Sequence, residues 1–128
     1  MTAKKILVVD DSIAARIGMS LSLKKYGFEV VEASSGPDGI EKLECDNSIA
    51  LMVVDYYMEK MNGLEMVAKI REIPVYGKLP VIMWTSDSSK DLKQKSKELG
   101  VIAWAVKPCP PDTITELIRK VLGSPTNN

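Results

Sequence analysis

Apolar residues along the chain follow two rhythms. Residues 5–9, 50–54, 80–84 and 101–106 are short continuous apolar runs rich in Val and Ile, the pattern of strands buried on both faces. Phe28-Glu29-Val30-Val31-Glu32-Ala33 is mixed and suits a strand near a sheet edge. Between the runs, apolar positions recur at helical spacing. Ile13, Ile17 and Leu21, with Ala14 and Gly18 alongside, place an apolar stripe on a helix that Ser12 caps and Gly27 ends. Ser35-Gly36-Pro37 opens a second helix carrying Ile40 and Leu43, and Leu64, Val67, Ala68 and Ile70 mark a third after Gly63. A fourth, about 88–99, is weak: Leu92 and Leu99 share a face with Ser96 while Lys90, Lys93, Lys95 and Lys97 crowd the rest. The last is clear, with Ile114, Leu117, Ile118, Val121 and Leu122 between Pro110-Pro111 and Gly123.

Five strands alternating with five helices predict a doubly wound α/β fold, a five-stranded parallel sheet covered by helices on both faces. The 128 residues suit one domain. It is expected over residues 4–123, with 124–128 a disordered tail. In such sheets ligands bind at the carboxyl ends of the strands, where the strand order reverses.

Charge and composition restrict the chemistry. Seventeen Lys and Arg balance seventeen Asp and Glu, which argues against direct nucleic-acid binding. The chain has no histidine, so a Ser-His-Asp triad, an HExxH zinc site and a histidine general base are all excluded. Cys45 and Cys109 lie far apart without metal or redox spacing and read as free thiols. Runs such as Leu51-Met52-Val53-Val54 are too short to span a bilayer, and the N-terminus lacks the apolar stretch of a signal peptide. The expectation is a cytoplasmic protein with no membrane insertion.

The strand ends carry the chemistry. They read Asp10-Asp11, Asp55, Thr85-Ser86 and Lys107-Pro108. Any one aspartate there suits a helix cap, but the four ends are chemically complementary. Three carboxylates converging on one edge repel one another and call for a cation, and Mg²⁺ suits an all-oxygen site completed by water. A lysine and a hydroxyl opposite them suit the oxygens of a phosphoryl group. An ionised carboxylate is already a nucleophile, so phosphoryl transfer at such a site needs no histidine.

These residues resemble the receiver domain of two-component response regulators, of the single-domain chemotaxis-regulator type, over roughly residues 4–122. Asp10-Asp11 match the acidic pair after the first strand. Asp55 matches the phosphoacceptor in Val53-Val54-Asp55-Tyr56-Tyr57-Met58-Glu59-Lys60-Met61-Asn62-Gly63, with Met58 and Gly63 in place. Thr85 matches the switch hydroxyl, Trp104 the switch aromatic, and Lys107-Pro108 the lysine with its usually cis proline. The resemblance implies a flavodoxin-like three-layer sandwich with strand order 2-1-3-4-5. It implies a phosphorelay switch in which Asp55 takes a phosphoryl group from a phosphohistidine on a sensor histidine kinase or histidine phosphotransfer protein. Mg²⁺ would be held by Asp11, Asp55 and the backbone carbonyl of Tyr57, with Asp10 acting through water. Lys107 and Thr85 would hold the phosphoryl oxygens. Thr85 and Trp104 would then relay the change to a downstream target at the surface of helix 4, strand 5 and helix 5. The chain itself would not be an enzyme beyond its own phosphorylation and dephosphorylation.

Several positions depart from the family pattern. Glu59 stands where proline is usual, Ser86 where Ala or Gly is usual, and Tyr57 is bulkier than the usual small polar residue. Tyr57 is expected to shield the acyl phosphate and slow self-dephosphorylation, or simply to pack over the loop. The lysines of the fourth helix form a solvated face or a strip for an acidic partner. Trp104 is either core or switch. Two other readings stay open: a receiver excised from a larger regulator or hybrid kinase, and an aspartate-based Mg²⁺ phosphatase. The latter needs a second carboxylate where Tyr57 stands.

Overall fold

The computed structural model describes residues 3–125. The elements alternate as β1 (Lys5–Val9), α1 (Ile13–Lys25), β2 (Glu29–Ala33), α2 (Gly36–Cys45), β3 (Ile49–Val54), α3 (Gly63–Arg71), a 3₁₀ turn (Pro74–Tyr76), β4 (Val81–Thr85), α4 (Lys90–Glu98), β5 (Ala103–Val106) and α5 (Pro111–Leu122). All strand pairings are parallel, in the order β2-β1-β3-β4-β5. The expected sheet and order are both present.

Because successive strand residues face opposite ways, the sheet divides the core in two. Leu7, Val9, Met52, Val54, Val81 and Met83 pack with Leu43, Leu64, Met66, Val67 and Ile70 of α2 and α3. Ile6, Val8, Leu51, Val53, Ile82 and Trp84 pack with Met19, Leu23, Ile114 and Ile118 of α1 and α5. The result is a three-layer sandwich.

Local chemistry sets the helix starts. The hydroxyls of Ser12, Ser35 and Ser89 accept from the backbone N–H groups of Ala15, Asp38 and Leu92. Asn62 and Glu65 form a reciprocal capping box at α3. Gly123 ends α5 at φ 80°.

Two expectations about burial are corrected. The stripe of Ile13, Ile17 and Leu21 does not face the core: these side chains are 65%, 50% and 65% exposed. The buried face of α1 carries Met19, Leu23, Ser20 and Ser22. Ser22 can be buried because its hydroxyl meets Thr115 Oγ1 at 2.8 Å and donates to Asp112 Oδ1 at 2.5 Å. α1 thus has two apolar stripes, and the one interrupted by serines is the inner one. The segment 101–106 is likewise not buried on both faces. It is the last strand of the order, its four residues are half-buried or exposed, and Ile102 before it is exposed.

At the C-terminal end, where a disordered tail was expected from 124, the Pro125 carbonyl accepts from Lys4 N at 2.7 Å and Leu122 O accepts from Lys4 Nζ at 2.6 Å. Residues 126–128 lie outside the described residues. Both cysteines are free. No described helix is long and apolar enough to cross a membrane.

Candidate functional site

Sheet hydrogen bonding continues past the strands and fixes the residues that follow them. Asp10 N donates to Ala33 O at 3.1 Å, Asp55 N to Val9 O at 3.0 Å, and Lys107 N to Thr85 O at 2.9 Å. The ladder therefore brings Asp10, Asp55, Thr85 and Lys107 to one carboxyl edge. Asp10, Asp11 and Asp55 each turn a carboxylate oxygen into a cluster whose atoms lie within 4.8 Å of one another. Asp10 and Asp55 are buried and Asp11 is exposed, so the cluster opens to solvent on one side.

Lys107 faces the acids. Its Nζ donates to Asp10 Oδ2 at 2.8 Å and stands 3.7 Å from Asp55 Oδ2. The same ammonium lies 4.7 Å from the centre of the Trp84 ring, whose indole N–H donates to Cys109 O at 3.0 Å. Trp84 is thus the floor under the lysine, and the peptide bond between Lys107 and Pro108 is cis. Asp10 is further fixed by Ser12 N, which donates to Oδ1 at 2.9 Å, and by Arg16, which donates to its backbone carbonyl at 2.6 Å.

Asp55 and Thr85 are less provided for. Asp55 Oδ1 and Thr85 Oγ1 are buried and have no hydrogen-bond partner. An unmet buried polar atom costs on the order of 1–3 kcal/mol; like Ser20 Oγ on α1, both oxygens keep unused hydrogen-bonding capacity. Burial raises the Asp55 carboxyl above its ordinary value; the Asp10 carboxylate adds to this, against the pull of the neighbouring Thr85 hydroxyl, of Lys107 and of the Tyr57 backbone N–H.

The β3–α3 loop wraps tightly around the acid. A Cβ on Gly63 would sit 2.3 Å from the Asp55 carbonyl oxygen and 2.9 Å from the Met83 methyl, so only glycine fits there. Gly63 N donates to Tyr56 O at 2.9 Å, and Lys60 takes a positive φ of 69° within the same loop. Tyr57 lies half exposed with its ring edge-on to Tyr56. Trp104 is half-buried on the α3 side of the sheet, and its indole N–H donates to Asp87 O at 2.7 Å.

All the residues singled out from the sequence, Asp10, Asp11, Asp55, Tyr57, Thr85, Trp104 and Lys107, thus lie at or beside this one edge. Trp84 and Asp87 went unrecognised as site residues. Their placement depends on contacts with residues 17 to 30 positions away. Three carboxylates and no nitrogen or sulfur donor form a set that fits a hard divalent cation such as Mg²⁺, and the unmet Asp55 Oδ1 agrees with that fit.

A parallel, doubly wound sheet with an acid cluster and a lysine at its switch-point edge defines a flavodoxin-like α/β switch protein. The chain belongs to the response regulator receiver domains, whose family model matches residues 6–119. It is 35% identical to chemotaxis protein CheY1 of Helicobacter pylori over 94% of this chain and 98% of that protein. A rice two-component response regulator, ORR3, shares 27% identity over 91% of this chain and 89% of its own length. Among solved structures, chemotaxis protein CheY4 of Vibrio cholerae superposes with a TM-score of 0.88 at 33% identity, covering 94% of this chain and all of that one. The chain is accordingly a signalling protein of the phosphoacceptor type.

Proposed function

We propose that Asp55 is the phosphoacceptor of a two-component phosphorelay in the cytoplasm, taking its phosphoryl group from a phosphohistidine on a sensor histidine kinase or histidine phosphotransfer protein. The observation that carries this reading is the pair of buried, unpartnered oxygens, Asp55 Oδ1 and Thr85 Oγ1, beside Lys107 and the acid cluster.

In the reaction an Asp55 carboxylate oxygen attacks phosphorus, the new O–P bond forms, and the N–P bond of the donor breaks. The imidazole leaves with the electron pair and takes its proton from solvent. Asp11, Asp55 and the Tyr57 backbone carbonyl would hold Mg²⁺ directly, with Asp10 acting through water. A bound cation would supply charge neutralisation. Lys107, already within 3.7 Å of Asp55, pairs with one phosphoryl oxygen. The Thr85 hydroxyl donates to another and so gains the partner it lacks.

Phosphorylation adds nearly two negative charges and three acceptor oxygens. Movement of Thr85 toward them, followed by Trp104, alters the α4–β5–α5 surface, where Ile102, Val106 and Val121 are exposed and a downstream target protein would bind.

Incubation with Mg²⁺ and acetyl phosphate tests the reading. One acid-stable, base-labile phosphoryl group by intact mass is expected in wild type and none in Asp55→Ala. A wild-type chain that takes up no phosphoryl group overturns it.

A further inference from the structure

Lys107 is held from a side that carries no oxygen. In the register of β4 against β5, Trp84 lies opposite Ala105, and Lys107, two residues further on, shares its face of the sheet. That face packs against α1 and α5, and β5 contributes to it only the small side chains of Ala103 and Ala105. The Trp84 indole occupies the space they leave, is 5% exposed, and places its ring 4.7 Å from the Lys107 ammonium.

Trp84 also grips the chain beyond the lysine. Its indole N–H donates to Cys109 O at 3.0 Å, while Cys109 N donates to Val106 O at 3.1 Å and Lys107 N to Thr85 O at 2.9 Å. The turn that bears Lys107 is pinned on both sides of it, and the ring that does part of the pinning also carries the ammonium.

An aromatic face suits this task better than other side chains. The ammonium has three N–H donors. One goes to Asp10 Oδ2 at 2.8 Å, and Asp55 Oδ2 stands 3.7 Å away. A further carboxylate would attract the lysine but take up a donor and offset its charge. A leucine would strip water from the ammonium and give nothing in return. The ring attracts the cation through its quadrupole, leaves its charge whole and keeps water from its underside.

We infer that Trp84 is the positioning residue for Lys107: it keeps a fully charged ammonium, with donors to spare, where it can pair with an oxygen carried on Asp55. This rests on the phosphoacceptor reading of Asp55, in which Lys107 exchanges part of its hold on Asp10 for a phosphoryl oxygen. The ring supports the lysine in both arrangements and acts on the reaction only through it.

Trp84→Phe keeps an aromatic face, whereas Trp84→Leu and Trp84→Met keep an apolar filling without one. Beryllium fluoride, a mimic of the phosphoryl group, is titrated in the presence of Mg²⁺ and followed in ¹H–¹⁵N spectra. Its affinity should fall by about three- to thirtyfold in whichever aliphatic variant is folded, the range of a partly desolvated cation–π contact. In Trp84→Phe the fall should be about threefold or less. Affinity for Mg²⁺ alone should stay within about twofold of wild type throughout; a merely structural role would lower both affinities. In a ¹H–¹³C spectrum the Lys107 ε-methylene, assigned with Lys107→Arg, should lie upfield of the other lysines in wild type and Trp84→Phe, and rejoin them in the aliphatic variant.

Equal mimic affinity in wild type and the aliphatic variant, a matching loss of Mg²⁺ affinity, or a wild-type Lys107 signal among the other lysines overturns the inference. The last of these needs no variant at Trp84 and no mimic. Wild type that binds Mg²⁺ but no beryllium fluoride overturns the acceptor reading and the role of Trp84 with it, whereas binding that is unchanged across the series overturns that role alone.

Discussion

The two edges of the same sheet are built on opposite plans. At the amino edge several charges near the strand starts are answered. Asp46 accepts from Lys5 Nζ at 2.9 Å, from Ser48 N at 2.9 Å and from Ser48 Oγ at 2.5 Å, which together hold its carboxyl down at about 2. Arg71 donates to the carbonyls of Leu99, Tyr76, Leu79 and Gly100, closing three loops with one guanidinium. The Tyr76 hydroxyl donates to Leu43 O at 2.5 Å. At the carboxyl edge two buried oxygens go unanswered, three acids crowd together, and the Asp55 carboxyl is pushed up. One edge is tied down by hydrogen bonds, and the other leaves buried polar groups unmatched.

This contrast can be broken by experiment, and the largest effect is expected at the amino edge. Arg71→Ala removes charged hydrogen bonds to several carbonyls at once and should lower stability by about 2–4 kcal/mol in urea unfolding, while phosphorylation by acetyl phosphate at a temperature where the variant is folded stays unchanged. A comparable loss of phosphoryl uptake would show that the edges are not separate.

Asp55→Asn should do the reverse. It abolishes phosphorylation and, in metal-free buffer, raises stability by on the order of 1 kcal/mol, because a buried carboxylate beside Asp10 becomes neutral. An unchanged or lowered unfolding midpoint would count against a crowded carboxyl edge.

The smallest effect lies in the pH dependence. The folded Asp46 carboxyl is held below its ordinary value, so its contribution is present above about pH 4 and fades as pH falls toward its folded value. The folded Asp55 carboxyl is raised, so its protonation favours the metal-free fold as pH falls. Between about pH 5 and pH 2, Asp46→Asn should flatten the acid loss of stability and Asp55→Asn should steepen it. Equal slopes for the two variants would erase the distinction.

The strand-end residues were legible because each directly follows an apolar run, and a parallel sheet carries all such positions to one edge. That is a local signal with a global consequence. The inner face of α1 was not legible, because Ile13, Ile17 and Leu21 form the better stripe by periodicity while the true inner face contains Ser20 and Ser22. What made Ser22 fit was Thr115 and Asp112, about ninety residues away. Asp87 escaped for the same reason: an exposed-looking acid in a polar turn gains its meaning only from Tyr57 and Trp104. Arg71, the last residue of α3, carries no signal in the sequence pattern, because its carbonyl partners come from loops that the sequence does not align with it. Residues that act through backbone acceptors leave no pattern of their own.

The hydrogen bond between Lys4 N and Pro125 O sets the two ends of the described chain side by side. It lies where β1 begins, at the edge away from Asp55. A short covalent link there would close the polypeptide into a ring with little distortion, and a new opening cut in a surface loop would give a circular permutant. Because both ends lie far from the acid cluster, another protein can be tethered at either one and leave the crevice free to react.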